Sequence, residues 1–230
     1  MNGRLFAAAV SAAIATLPLT SVAYEAGDWI VRGGAAVVDA DESSSNIHAG
    51  GVGVSGTGVG VDNDTQLGLT FTYMYSNHVG IELLASTPFK HDVTASGLDG
   101  LGVPTGTTIA TVEHLPPTLS LQYFFMDSSS PLQPYAGIGI NYWLVLDEDL
   151  SSAAESVVGA RDLEVDDSVG LSLQLGVDYQ LNDRWLVNAA IWKIDIETDA
   201  SFYSDALGAE VSADIDIDPW VYMVSVGYRF

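Results

Sequence analysis

The chain has 230 residues, 30 of them acidic and 7 basic, with a formal net charge of −23 and no cysteine. This acidity argues against nucleic acid as a partner, because its phosphates would be repelled, and the missing thiols exclude a disulfide framework and any thiolate-bound metal. Apolar residues make up 48% of the chain, yet no segment after the N-terminus reaches the run of about 18 that a spanning helix needs.

The first segment, Met1 to Ala23, has one basic residue (Arg4), an apolar run from Leu5 to Leu19, and the small residues Ser21-Val22-Ala23. That is the pattern of a secretory signal peptide cut after Ala23. It places residues 24–230 outside the cytoplasm, as a secreted, periplasmic or outer-membrane protein.

Side chains alternate between the faces of a strand, and that period recurs along the chain. The spacing predicts a first strand over about 28–38, with Trp29, Val31, Gly33, Ala35 and Val37 opposite Ile30, Arg32, Gly34, Ala36 and Val38. Residues 39–64 are rich in Gly, Ser and Asp and read as a long mobile loop. Its Gly51-Val-Gly53-Val-Ser-Gly56 formally matches a dinucleotide-binding pattern, but no helix follows, so a flexible loop is the better reading. A second strand is predicted over 65–75, then a short turn at Ser76-Asn77-His78 and a third strand over 79–87. A second long loop follows at 89–113, and a fourth strand near 117–125. After a polar turn comes a fifth strand over 133–146, and then a third long loop at 147–167 with eight acidic residues and one basic. The sixth strand, 169–181, alternates most cleanly: Leu171, Leu173, Leu175, Val177 and Tyr179 against Ser172, Gln174, Gly176, Asp178 and Gln180. Asn182-Asp183 turns it into a seventh strand over 184–196. A fourth acidic loop, 197–218, precedes a last strand, whose even positions Trp220, Tyr222, Val224, Val226, Tyr228 and Phe230 are apolar or aromatic.

Eight strands of about 9–13 residues, joined alternately by long and short connections, form the pattern of an all-β, eight-stranded antiparallel transmembrane barrel with four long extracellular loops and three short periplasmic turns. A soluble eight-stranded barrel would turn its apolar face inward. Here the cleaner apolar face holds almost no polar group, while the other holds Arg32, Glu82, Gln122, Asn141, Gln174, Asp178 and Arg229, which suits lipid as the surrounding solvent.

Several runs carry a family resemblance: Asp64-Thr-Gln-Leu-Gly-Leu-Thr-Phe-Thr-Tyr73, Gly80-Ile-Glu-Leu-Leu-Ala85, His114-Leu-Pro-Pro-Thr118, Tyr135-Ala-Gly-Ile-Gly-Ile-Asn-Tyr142, Asp218-Pro-Trp220 and Gly227-Tyr-Arg-Phe230. Together they resemble the OmpW family of outer-membrane proteins over essentially the whole of 24–230. The resemblance implies a barrel with a narrow, largely apolar interior, passage of small hydrophobic molecules and, in some members, a bacteriocin-receptor role. It also implies that Leu84 and Trp192 form an apolar constriction. The acidic loops carry no clear family motif.

An eight-stranded barrel is barely wider than its own side chains, so its contents decide what it can pass. Strand parity turns Leu84, Phe124, Trp143, Trp192, Met74 and Met223 inward as an apolar lumen. The same parity turns Arg32, Glu82, Asp178 and Arg229 inward, as an ion network of two bases and two acids near the short-turn end. Pro88, Pro116 and Pro117 lie at the long-loop ends of the neighbouring third and fourth strands, where proline cannot donate to the ladder. They mark a seam through which an apolar solute would leave sideways into the bilayer. The expected partners are membrane lipid and lipopolysaccharide, small hydrophobic solutes, and the outer-membrane assembly machinery through the C-terminal strand.

Neither catalysis nor a cofactor is expected. His48, His78, His91 and His114 have no nucleophile motif around them, although His91 and His114 flank one loop and would meet beside Asp92 or Glu113. Asp214, Asp216 and Asp218 share a face, but no calcium-loop pattern surrounds them, and a solvated acidic loop is the simpler reading. A purely structural barrel, or a bacteriocin or phage receptor acting through its acidic loops, is the alternative to transport.

Overall fold

A computed structural model describes residues 24–40 and 43–230; the predicted signal segment 1–23 lies outside the described residues. In chain order the strands are β1 (Trp29–Asp39), β2 (Ser43–Ser44), β3 (His48–Ala49), β4 (Val52–Gly53), β5 (Gly58–Val61), β6 (Asp64–Met74), β7 (Val79–Ser86), β8 (Phe89–Ser96), β9 (Thr107–Leu115), β10 (Thr118–Phe124), β11 (Leu132–Leu150), β12 (Ala160–Val165), β13 (Ser168–Gln180), β14 (Trp185–Ile194), β15 (Glu197–Ser204), β16 (Ala209–Asp216) and β17 (Trp220–Arg229). A short helix, α1 (Ser152–Val158), follows β11, started by the Ser151 side chain accepting from the Ala154 amide.

Eight of these strands close a barrel in the order β10-β7-β6-β1-β17-β14-β13-β11, and β11 returns to β10. All its pairs are antiparallel. Closure removes the free edges that hydrocarbon cannot solvate. The alternation is turned inside out: on β17, Val224 is 70% exposed while its inward neighbour Met223 is 2% exposed. Leu119, Leu121, Ile138, Ile140, Leu171, Leu173 and Leu175 are exposed in the same way, an apolar girth that would aggregate in water and that lipid solvates. Aromatic pairs ring the short-turn end, with Trp29 against Tyr73 at 5.2 Å, Trp185 against Tyr228 at 5.0 Å and Tyr228 against Phe230 at 4.8 Å. Tyr142 and Trp220 face outward at the other end and bound the spanning part.

One close approach fixes a barrel position. Tyr135 stands opposite Gly176 across the β11–β13 pair, and a Cβ on Gly176 would lie 2.3 Å from the Tyr135 ring. Gly176→Val is expected to displace the ring and destabilise the barrel by about 1–3 kcal/mol, measurable as a lower urea midpoint for the lipid-embedded protein.

The segments expected to be long loops are instead largely folded. β8 and β9 form a hairpin that stacks on the outer half of β11, from Leu144↔Leu115 to Leu150↔Ala110, and β5 adds to β8. A second sheet runs β12-β15-β16-β3-β4, with β2 also on β16. The physical reason lies in β16, where Val211, Ala213 and Ile215 are buried and Glu210, Asp214 and Asp216 are exposed. The acidic residues are the wet side of a strand, not the signature of a loop. The two sheets extend the barrel wall beyond the aromatic ring.

Candidate functional site

The base of the barrel, at the short-turn end, is filled. Ile30, Met74, Phe124, Tyr135 and Leu186 pack there with Tyr24, the residue leading into β1. The Tyr24 ring meets Phe124 edge-on at 5.0 Å, and its hydroxyl donates to Asp178. Met74 and Phe124, expected with Leu84 along one apolar lumen, lie at a different height from it. All three point inward as their parity requires, but Met74 and Phe124 end β6 and β10 at the short turns, whereas Leu84 lies near the opposite end of β7.

Above the base lies a polar layer. Arg32 is fully buried, with Nη2 2.5 Å from Asp178 Oδ2, Nε donating to Asp178 Oδ1 at 3.1 Å, and Nη1 3.2 Å from Glu82 Oε2. One cation therefore faces two carboxylates. Neutral donors supply the remainder: Gln174 Nε2 to Glu82 Oε1 at 2.8 Å, Asn188 Nδ2 to Asp178 Oδ1 at 2.8 Å, and Thr72 Oγ1 to Glu82 Oε2 at 3.0 Å. Such a layer is tolerable only because nearly every charged atom has a partner. Arg229, expected in this network, is not part of it. As the last residue of β17 it reaches the rim, with Nη1 3.5 Å from Asp28 Oδ2 and Nε donating to the Asp183 carbonyl at 3.1 Å. The balance of two bases and two acids is thus replaced by one base, two acids and amide donors.

Above the polar layer comes an apolar one. Leu84, Trp143, Trp192 and Met223 share one buried cluster with Ala36, Ala190 and Val221. Beyond them, between the two outer sheets, an apolar cavity of about 140 Å³ opens, a size that holds a benzene-sized solute. One wall carries Val59, Val93, Ala110 and Val112, and the other Val165, Ala200, Val211, Ala213 and Ile215, with Ala154 and Val158 of α1 beside them. Of the residues expected to line an apolar lumen, only Trp143 lines this chamber. The open apolar space lies above the barrel, because the base, the polar layer and the Leu84–Trp192 layer together fill the barrel's own interior.

At the end of the chamber nearest the barrel, the Phe89, His91, His114 and Trp143 rings form a stack. His91 and His114 lie face to face, with centroids 5.1 Å apart and planes 12° apart, and His114 lies 5.0 Å from Trp143. His91 Nδ1 bonds the Asp62 carbonyl at 2.6 Å; a carbonyl only accepts, so this nitrogen carries the proton. Burial, reinforced by His91, lowers the His114 pKa to about 3, so its ring is neutral at ordinary pH. The histidines do meet, but they present ring faces to each other. Asp92 is exposed on the other face of β8, where Thr111 Oγ1 donates to it at 3.3 Å. Among the described residues no group of three or more His, Asp or Glu is placed to hold a metal. Asp218 turns away from Asp214 and Asp216, its carbonyl accepting from Lys193 Nζ and its side chain from the Ile196 amide.

The wall beside the apolar layer has a break. β7 and β10 pair from Tyr123↔Val79 up to Thr118↔Leu84, and β8 and β9 resume at Phe89↔His114. Between these, residues 85–88 and 115–117 form no ladder pair with each other. Pro88, Pro116 and Pro117 fall in the break and have no N–H to bridge it. Each rim is tied to its other neighbour instead. The Thr87 amide donates to the Leu67 carbonyl at 3.0 Å, the Tyr142 amide to the Pro117 carbonyl at 2.9 Å, and Asn141 Nδ2 to the Pro116 carbonyl at 3.0 Å.

A closed, lipid-faced eight-stranded barrel with a filled base is an outer-membrane barrel. The model of the OmpW family matches residues 25–230, and the chain belongs to that family. Outer membrane protein W of Escherichia coli K12 is 44% identical over 222 residues, covering 95% of this chain and 97% of that protein. Outer membrane protein W of Vibrio cholerae is 39% identical over 225 residues, 96% of each chain. The crystal structure of outer membrane protein OprG from Pseudomonas aeruginosa matches with a TM-score of 0.86 at 46% identity, over 91% of this chain and 99% of that one. The protein resides in the bacterial outer membrane, with its outward apolar girth in contact with lipid.

Proposed function

We propose that the protein is a conduit for small hydrophobic molecules, which enter the chamber from outside the cell and leave sideways through the break between β7 and β10 into the bilayer. The observation that carries this reading is an apolar chamber set directly over a filled barrel. A solute that dissolves among Val112, Ala213 and Ile215 meets the Arg32 layer below it, where neither an apolar body nor a hydrated ion has room. The break in the wall lies at the height of Leu84, above that layer. The reading needs no catalytic residue, metal or cofactor. The C-terminal strand is the segment we assign to the assembly machinery, and the acidic outer faces of the two sheets are what lipopolysaccharide, a bacteriocin or a phage would meet.

Uptake of radiolabelled octane by lipopolysaccharide-bearing cells tests the reading. Cells producing the native protein are expected to take it up faster than cells lacking it. A Val112→Asp, Ile215→Asp variant, its folding checked by heat-dependent gel mobility, is expected to fall to the background rate, because it places a charge on each chamber wall. Equal uptake with and without the native protein would overturn the conduit and favour a receptor or structural role.

A further inference from the structure

The chamber is not uniformly apolar. His114 is 4% exposed and lines it, and its Nδ1 is buried with no hydrogen-bond partner among the described residues. Buried polar atoms are nearly always paired, because an unpaired one keeps its full desolvation penalty. The ring cannot swing out to find a partner, being held between His91 at 5.1 Å and Trp143 at 5.0 Å. Beside the break between β7 and β10, Asn141 and Ser86 share this condition. Asn141 is fully buried; its Nδ2 donates to the Pro116 carbonyl at 3.0 Å and to Thr118 Oγ1 at 2.9 Å, which leaves Oδ1 unpartnered. Ser86 Oγ, on the last residue of β7, is likewise buried and unpartnered. Ser86 stands on one rim of the break between β7 and β10, Asn141 on β11 holds the other rim through the Pro116 carbonyl, and His114 stands where the pairing resumes beyond it.

We propose that the chamber selects neutral apolar molecules bearing one oxygen (an alcohol, an aldehyde or a ketone) over bare hydrocarbons, with His114 Nδ1 taking the head group and Ser86 and Asn141 receiving it at the break. This rests on the conduit reading and names its substrate class. A hydroxyl donates to an unprotonated Nδ1, and in the other tautomer Nδ1–H donates to a carbonyl, so His114 serves both kinds of oxygen; at the break the Ser86 hydroxyl also serves both, whereas Asn141 Oδ1 accepts from an alcohol alone. The neutral His114 ring offers no counter-charge, so a carboxylate would have to shed its water without compensation, and is refused. A bare hydrocarbon fits the walls but leaves the three polar atoms unsatisfied.

The test uses the full-length barrel in phosphatidylcholine nanodiscs with octan-1-ol, octane and octanoate at neutral pH. Binding is read from the Trp143 indole N–H resonance, and head-group contact from the His114 ring nitrogens in histidine-labelled protein. Octan-1-ol is expected to half-saturate the Trp143 shift at a mole fraction in lipid about tenfold lower than octane, the scale of one hydrogen bond to a group otherwise unpaired. It is also expected to move the His114 nitrogens, while octanoate does neither. His114→Phe is expected to bring the alcohol and the alkane level, and His114→Gln, which keeps a hydrogen-bonding group, to preserve the preference. Equal binding of alcohol and alkane by the native protein overturns this inference and leaves the conduit standing. Saturation by the alcohol without movement of the His114 nitrogens does the same, whether or not His114→Phe folds. If no probe shifts Trp143, the conduit reading itself fails.

Discussion

Replacing Arg32 with methionine is expected to cost about 3–5 kcal/mol of barrel stability, the usual penalty for removing one partner from a buried ion cluster. Methionine fills most of the volume of the arginine stem, so the loss is electrostatic rather than a cavity effect. Arg32 reaches Asp178 through two nitrogens, at 2.5 and 3.1 Å, and Glu82 through a third, at 3.2 Å. All three side chains are at most 1% exposed. Without the guanidinium, two carboxylates remain in a space no ion can reach, and the amides of Gln174 and Asn188 neutralise neither. The check is urea unfolding of the lipid-embedded protein, with a triple variant, Arg32→Met, Glu82→Gln, Asp178→Asn, beside the single one. The triple variant is expected to recover most of the loss, since its amides retain acceptors for the Gln174 and Asn188 donors and leave no charge unpaired. If the triple variant is as weak as the single one, the stability lies in the shape of the Arg32 side chain and not in its charge. A loss below about 1 kcal/mol, the range of exposed ion pairs, would mean that water reaches this layer and that the barrel is not filled.

Period-two alternation made the barrel legible, because lipid outside and side chains inside separate the two faces cleanly on β13 and β17. Strand ends were legible to within a residue or two except on β11, which continues to Leu150, well past the predicted end near residue 146. Its outer half pairs with β9, a strand mostly within the segment 89–113 that reads as a loop from sequence. The chamber walls are hidden in the sequence in the same way. Val211, Ala213, Ile215 and Ile217 alternate as cleanly as a barrel strand, as do Phe89, His91, Val93 and Ala95. Acidic residues on the alternate positions of the first set masked that signal, and weighing alternation above charge would have recovered both sheets. Arg32, Glu82 and Asp178 could be grouped from parity alone, but parity says nothing about height along the barrel. Height is what separates Arg229 from the Arg32 layer, and Met74 and Phe124 from Leu84. The stacking of His91 on His114 depends on the register of the β8–β9 hairpin, which no local pattern specifies.

Locking the break between β7 and β10 is expected to reduce octane uptake to background while leaving binding in the chamber intact. Continuing the register of Thr118↔Leu84 across the break puts Ser86 opposite Pro116. Cysteines at those two positions would be the only thiols in the protein, since the native chain has none. A disulfide holds Cα atoms about 4.4–6.8 Å apart, so an oxidised Ser86→Cys, Pro116→Cys pair draws the rims to strand spacing and closes the wall. The same molecule after reduction is the control for any effect of the substitutions themselves, including the loss of the Ser86 hydroxyl. Reduced protein is expected to transport and oxidised protein not to, with the Trp143 response to octan-1-ol preserved in both. Binding without transport in the oxidised form would place the exit at the break. Transport undiminished by oxidation would rule the break out, and the solute would then have to pass the Arg32 layer and the Tyr24–Phe124 contact at the base. In that case Tyr24→Ala, which removes the ring closing the base, would raise uptake; a lateral exit leaves that variant's transport unchanged, because the solute never reaches Tyr24.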